Sequence, residues 1–279
     1  APFFVGARLF LLPTRLASFR NWLAAIQQYR ATYTAAPDFA YRLCLRYVRD
    51  PGRHDLSSLR LALNAAEPVR VATLEEFAGT FGLERVMMPG YGLAEATVGV
   101  SFSPLGPEYE RVVVDRHSLQ IGEPYRAVSP DDPDAVSFVK VGKAIRDVDI
   151  RIADDADRLL ADGHIGHIQL HGDSVTERIY GDVQATAELF TADGWLRTGD
   201  CGVIVDGDLV ITGRQKDIII INGQNYYPHD IEEIIAQLDE LDLNKVVVAG
   251  ATPRGEQTEE LIAFVMFRQD AAAFRPLAG

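Results

Sequence analysis

Three short stretches of this chain carry residue types that can do chemistry on a flat, hydroxylated and charged ligand. In Tyr91-Gly92-Leu93-Ala94-Glu95-Ala96-Thr97 an aromatic ring stands at a strand end, and a carboxylate follows one helical turn later. The ring can stack on a base, and the carboxylate can hold a divalent metal ion. In Gly194-Trp195-Leu196-Arg197-Thr198-Gly199-Asp200 an aspartate follows a glycine at the start of a strand. Such a carboxylate can accept two hydrogen bonds from a diol. In Gly213-Arg214-Gln215-Lys216-Asp217 an arginine stands beside a glycine. Its guanidinium can approach a phosphate or a ribose closely. Taken singly, each stretch also suits a plain role: a capped helix with one exposed glutamate, a Gly-Asp turn, a charged surface turn.

These residues need elements to place them. Over residues 1–105, strand and helix patterns alternate. Helical spacing of Phe19, Trp22, Leu23, Ile26 and Tyr29 predicts a helix from Ser18, with the serine as N-cap. A β-rich piece at Thr32–Ala35, a helix at Asp38–Val48, a strand at Leu59–Leu63, a helix at Ala72–Thr80 and a strand at Arg85–Met88 follow. The apolar run Phe3–Leu12 reads as a core strand rather than a signal peptide, because no basic region precedes it. Alternation of this kind implies parallel strands with crossover helices, and ligands at the carboxyl ends of the strands. Two loops leave such ends, Asn64-Ala65-Ala66-Glu67-Pro68 and Pro89-Gly90-Tyr91-Gly92 ahead of a helix near Ala94. They are expected on one edge of the sheet.

From 106 to 215 the texture changes. Short apolar runs at Val112–Val114, Ser137–Val141, Val148–Ile152, Ile168–Leu170, Val203–Val205 and Leu209–Thr212 are separated by turn signals such as Asp162-Gly163 and Asp206-Gly207. They predict an antiparallel barrel or sandwich. From 216 to 279 a strand at Ile218–Ile221, a turn at Asn222-Gly223, a helix at Pro228–Leu238 and strands at Lys245–Ala249 and Leu261–Phe267 predict a small α+β unit. The fold class is therefore α/β in three parts.

Composition bounds the partners. A net charge of −13 argues against a nucleic-acid or anionic-membrane surface, since both need a basic face. It leaves room for a nucleotide, whose phosphates need only local donors. The two cysteines, Cys44 and Cys201, have no metal-ligand spacing and fit a reducing cytoplasm. No apolar run has transmembrane length, so membrane insertion is not expected.

Jointly, the three motifs resemble those of the adenylate-forming ligases, a superfamily that includes acyl-CoA synthetases, luciferases and the adenylation domains of peptide synthetases. The wording is most similar to the fatty acyl-AMP ligases. It is carried by Tyr91–Thr97, Asn64-Ala65-Ala66-Glu67-Pro68-Val69, Pro37-Asp38-Phe39-Ala40-Tyr41 and Asn225-Tyr226-Tyr227-Pro228-His229-Asp230-Ile231-Glu232. Residues 111–141 look like the insertion that separates acyl-AMP ligases from CoA ligases.

The resemblance implies a partial adenylate-forming fold. Its parts are a parallel α/β subdomain, an antiparallel barrel-like subdomain and the start of a truncated C-terminal domain. It implies ATP and Mg2+ as cofactors, a fatty acid as substrate, and an acyl carrier protein whose phosphopantetheine thiol receives the acyl group. Such chemistry serves lipid metabolism and polyketide or lipopeptide biosynthesis. Position by position, it implies that Glu95 holds the metal and that Tyr91, with Gly92 behind it, flanks the adenine. Ala65, Ala66, Glu67 and Pro68 run along the base. Asp200 binds the ribose hydroxyls, and Arg214 contacts the ribose or α-phosphate. Lys216 marks the hinge on which the small domain turns. Glu95, Arg214 and Lys216 are thus the residues expected to act in catalysis. Phe39 and Tyr41 suit an acyl tunnel or the core equally.

Three positions depart from the family pattern. Ala65 stands for a glycine, Ala94 for the wider superfamily's threonine, and His167 for a glutamate. No phosphate loop ending in Lys-Gly occurs, nor the C-terminal lysine motif, so the chain by itself is expected to be inactive or nearly so. The alternatives are an acyl-CoA ligase or amino-acid adenylation domain of the same fold, and a degenerate, non-catalytic binding module.

Overall fold

The computed structural model describes residues 4–12, 19–221, 224–236, 246–252 and 259–266. Helix α1 (Phe19–Tyr29) leads into β1 (Tyr33–Ala36), α2 (Asp38–Tyr47), β2 (Leu61–Asn64), α3 (Val71–Phe81) and β3 (Met87–Tyr91). The three strands are parallel, with Ala36 opposite Asn64 and Asn64 opposite Pro89. Their carboxyl ends are level, so the loops leaving β2 and β3 do share one edge.

The helices cover this sheet because apolar residues recur at helical spacing. Leu23 and Ile26 of α1, Tyr41 and Cys44 of α2, and Leu74 and Phe77 of α3 are all buried. The Tyr41 ring meets Trp22 at 5.4 Å and Phe77 at 4.9 Å, both edge-on, tying the three helices together. Its hydroxyl donates to the Leu63 carbonyl at 2.8 Å. Of the two roles open to Tyr41, the core one is realised. Gly82, left-handed at φ 62°, stops α3.

Two expectations fail in this region. Residues 4–12 form a turn and an irregular segment, not a core strand, and Phe4, Val5 and Leu11 are exposed. Gly6 at φ 69° breaks the extended run, and Phe10 stacks on Tyr29 of α1 at 4.0 Å instead of entering a sheet. The helix expected after Tyr91 is a single 3-10 turn, Ala94–Ala96. Thr97 and Val98 then turn left-handed (φ 52° and 85°), which no helix tolerates. The reversal is required because β4 (Ser101–Phe102) folds back antiparallel on β3, with Tyr91 opposite Ser101.

A hairpin of β5 (Arg111–Asp115) and β6 (Ala135–Val139) follows, and β7 (Lys143–Ala144) returns to pair with β4. Then β8 (Val148–Ala153), β9 (Gly166–Gly172), α4 (Val183–Leu189), β10 (Leu196–Val205) and β11 (Asp208–Arg214) build an antiparallel sheet in the order β11-β10-β9-β8. This sheet is open and does not close into the expected barrel. Four strands are too few to curl into a closed ring. The free edge of β11 is instead met by residues 140–142, through a bridge from Lys140 to Val210 and a 2.8 Å bond from the Val141 N–H to the Leu209 carbonyl.

Beyond β11, β12 (Ile219–Ile221) pairs with β13 (Gln224–Tyr226), α5 (Pro228–Ala236) follows, and β14 (Val246–Ala251) pairs with β15 (Glu260–Val265). The expected turn at Asn222-Gly223 lies outside the described residues. The start of α5 is docked on the β5–β6 hairpin. Arg116 pairs with Asp230 at 2.8 Å, and the Tyr227 hydroxyl donates to the Leu119 carbonyl at 3.0 Å. Burial pushes the Asp230 carboxyl up, against the pull of Arg116. Gly213 must be glycine here, since a Cβ would lie 2.5 Å from the Tyr227 ring. Both thiols, Cys44 and Cys201, are buried and free, and burial pushes each up to about 12. No helix among the described residues is long and apolar enough to cross a membrane.

His229 packs against Phe138 and Tyr227 with ring centroids at 6.1 Å. Burial, aided by the Arg70 charge, pushes it down to about 4 from 6.5. It stays neutral in the folded chain while the unfolded chain takes up a proton near 6.5. Between these values the unfolded state binds more protons, so stability falls as pH drops from about 6.5 to about 4. In denaturant unfolding across that window, wild type should lose stability relative to His229→Phe as pH falls, because the variant lacks this loss.

Candidate active site

The site assembles where β3, β10 and β11 meet. Tyr91 is the last residue of β3, and its hydroxyl donates to Asp200 Oδ2 at 2.6 Å. Gly92 lets the chain turn beneath it, since a Cβ there would sit 1.6 Å from the Val98 carbonyl oxygen. Asp200 lies on β10, where the pairing with β9 shifts between Arg197 and Cys201 and Gly199 takes φ 75°. That bulge aims the aspartate at β3. Arg214 stands directly opposite Asp200 on β11, and its Nε donates to Asp200 Oδ1 at 3.0 Å.

Asp200 is 6% exposed, while the Arg214 side chain is 56% exposed. The carboxylate is thus fixed inside, and the guanidinium reaches outward. Burial first, then the Asp200 charge, pushes the Tyr91 hydroxyl well above its usual range, so it remains a donor. A carboxylate offers about four lone-pair directions. The phenol and the guanidinium occupy one on each oxygen, which leaves acceptor capacity on both oxygens for a ligand's hydroxyls.

The loop after β2 sits on the same edge. Ala66 holds a left-handed φ of 76° with no glycine to ease it. Ala65, just before it, is half-buried. The Glu67 carboxylate accepts the Phe39 N–H at the first turn of α2, where the helix dipole favours an anion. Pro68 is exposed.

Glu95 occupies the 3-10 turn, half-buried. Its carbonyl accepts the Thr176 N–H at 2.7 Å, and Thr97 Oγ1 donates to the Ser174 carbonyl at 2.8 Å, so the turn is pinned to the β9–α4 connection. Its carboxylate makes no hydrogen bond or ion pair among the described residues. Neither do these residues contain a cluster of three or more metal-ligating side chains. A lone carboxylate suits magnesium, which keeps most of its waters and takes other ligands from phosphates. Lys216 is exposed on the 3-10 turn Gln215–Asp217, directly after Arg214.

The structure therefore brings Tyr91, Asp200 and Arg214 into hydrogen-bond contact. Glu95 and Lys216 make no such contact with them among the described residues. Thr198 is an addition to the expected set. Its Oγ1 accepts the Asp200 N–H at 3.0 Å and donates to the Ile168 carbonyl at 2.8 Å, bracing the bulge. A threonine two residues before an aspartate is a local turn signal that points to it. An open groove of about 950 Å³ lies between the end of β9 and α4, lined by His171, Thr176, Phe190 and Arg197 among others, and it meets the Glu95 turn at Thr176. Arg197 is already committed there to Asp157 and to the Phe190 carbonyl.

Residues 1–180 match the model of the family described as AMP-binding enzyme. The medium-chain-fatty-acid acyl-carrier-protein ligase TtuA of Teredinibacter turnerae is 36% identical over 240 residues, covering 78% of this chain and 37% of that protein. A solved structure from studies of fatty acyl-adenylate ligases of E. coli and L. pneumophila superposes with a TM-score of 0.84 at 34% identity, covering 93% of this chain and 47% of that one. The fatty acyl-adenylate ligase of L. pneumophila in complex with acyl adenylate and pyrophosphate superposes at 0.73 with 28% identity, covering 99% and 51%. The chain thus spans well under half the length of that curated relative and about half of the two solved chains.

The Tyr91–Asp200 bond should be measurable. Tyr91→Phe, Asp200→Asn and the double variant, compared by denaturant unfolding, should show a coupling of about 1.5–3 kcal/mol, the range for a hydrogen bond to a charged group. Additive effects would show that the two side chains do not meet.

Proposed function

The chain belongs to the AMP-binding enzyme family, and we propose that the whole protein joins a fatty acid to AMP from ATP and passes the acyl group to the thiol of a carrier protein. The observation that carries this reading is the Tyr91–Asp200–Arg214 cluster. Two stretches far apart in sequence, the end of β3 and the β10–β11 pair, meet in an arrangement that offers a ring, a diol acceptor and a cation side by side.

The residues then divide the work. Asp200 accepts the two ribose hydroxyls with its remaining lone pairs. Tyr91 and the loop Ala65-Ala66-Glu67-Pro68 border the adenine. Arg214, held by Asp200 and open to solvent, offers positive charge to the ribose or α-phosphate. In the reaction a fatty-acid carboxylate oxygen bonds to the α-phosphorus as the bond to pyrophosphate breaks. Negative charge grows on the departing oxygens, and fixed cations lower that barrier. Glu95, whose carboxylate is uncommitted among the described residues, is the residue that would hold Mg2+. When bound, that ion shields the phosphate charge. Lys216, exposed between β11 and β12, sits where the two parts of the chain can turn against each other.

The fatty acid and carrier-protein assignments lean on relatives that carry those names, at 36% and 34% identity. Two buried free thiols support a reducing, cytoplasmic setting.

The test is ATP–pyrophosphate exchange by the whole protein with fatty acids and with amino acids. Exchange should occur with fatty acids. Asp200→Asn should raise KM for ATP about tenfold or more, and Glu95→Gln should cut kcat by roughly 10²–10³. Exchange with amino acids alone, or none, would overturn the reading.

A further inference from the structure

The loop that borders the proposed adenine site is held by a residue that does not face that site. Asp38 opens α2 and is 1% exposed. Its Oδ1 accepts from Asn64 Nδ2 at 2.9 Å and from the Arg70 N–H at 3.3 Å. Its Oδ2 accepts from Thr73 Oγ1 at 3.0 Å and pairs with Arg42 Nε at 3.1 Å. Asn64 is the last residue of β2, and Arg70 is the cap residue before α3. One carboxylate therefore ties down both ends of the loop between them. The middle is tied to the same place, because Phe39, next to Asp38, donates its N–H to Glu67.

These bonds do not cap α2, whose N-cap is Pro37 without a side-chain bond. They reach across to β2 and α3. Their effect falls on Ala66, which keeps φ 76°. A non-glycine residue stays in that region only where its surroundings over-determine it. Loosening either end lets the loop relax toward ordinary backbone angles.

Resting on the function proposed above, we propose that Asp38 is a positioning residue for the nucleotide. It holds the loop Ala65-Ala66-Glu67-Pro68 at the height the base requires, without touching the ligand. Removing its charge loosens the nucleotide side of the site and leaves the fatty-acid side largely untouched. Asp38→Asn preserves size but turns an NH2 toward donors. Pairing it with Asn64→Asp returns one carboxylate to the same junction.

The test uses the whole protein, with exchange measured against ATP and against fatty acid separately, and amide hydrogen exchange followed over residues 64–70. Asp38→Asn should raise KM for ATP about tenfold or more, change KM for fatty acid less than about twofold, and speed amide exchange in that loop. The Asp38→Asn, Asn64→Asp pair should recover part of the ATP affinity. Thr73→Val removes one tie and should move the same quantities less, which keeps the test open if Asp38→Asn does not fold. The proposal fails if wild type exchanges while these variants raise both KM values alike or lower only Tm. If wild type shows no exchange with any fatty acid, the functional reading beneath it fails first.

Discussion

A buried carboxylate bonded on both oxygens organises this chain. Asp200 takes a phenol from β3 and a guanidinium from β11. The phenol bond ties the parallel sheet to the antiparallel one, and the guanidinium bond joins neighbouring strands of the latter. A buried charge without partners costs several kcal/mol, so both partners are held as firmly as the charge is. The bulge in β10, the left-handed Gly199 and the Thr198 brace all serve to aim that one side chain.

The rest of the edge is built on the level ends of β1, β2 and β3. Because Ala36, Asn64 and Pro89 are in register, the first turn of α2 reaches the loop after β2 with a carboxylate and an amide N–H. The C-terminal elements are attached differently. Among the described residues, the start of α5 leans on the β5–β6 hairpin through Arg116–Asp230 and Tyr227–Leu119. The hairpin lies within the stretch read as a family insertion, so that stretch is also what the start of α5 rests on.

Much of this was legible where a period was long enough to read. Helices α1 to α3 carry clear apolar stripes, and the strands between them are bounded by turns. Short or featureless elements were not legible. Strand β4 spans only Ser101–Phe102, yet it forces the reversal that removed the helix expected after Tyr91. Helix α4 has no buried residue, hence no stripe. The alternating strands of the middle region looked like a barrel, and alternation alone does not say how many strands share one sheet. At the site, the residue types of Tyr91, Asp200 and Arg214 singled each of them out. Their mutual bonds depend on a register shift that no local pattern encodes. The Asp38 network was hidden for the same reason, since its partners lie 26, 32 and 35 residues away.

A nucleotide bound at this edge should sit on the Asp200 cluster. A crystal structure of the whole protein with a non-hydrolysable acyl-adenylate analogue tests it most directly. The ribose hydroxyls should lie at hydrogen-bond distance, about 2.6–3.0 Å, from the Asp200 oxygens, with the adenine between Tyr91 and the loop at 65–68. An analogue bound in the groove beside α4, with Asp200 touching only Tyr91 and Arg214, would contradict it.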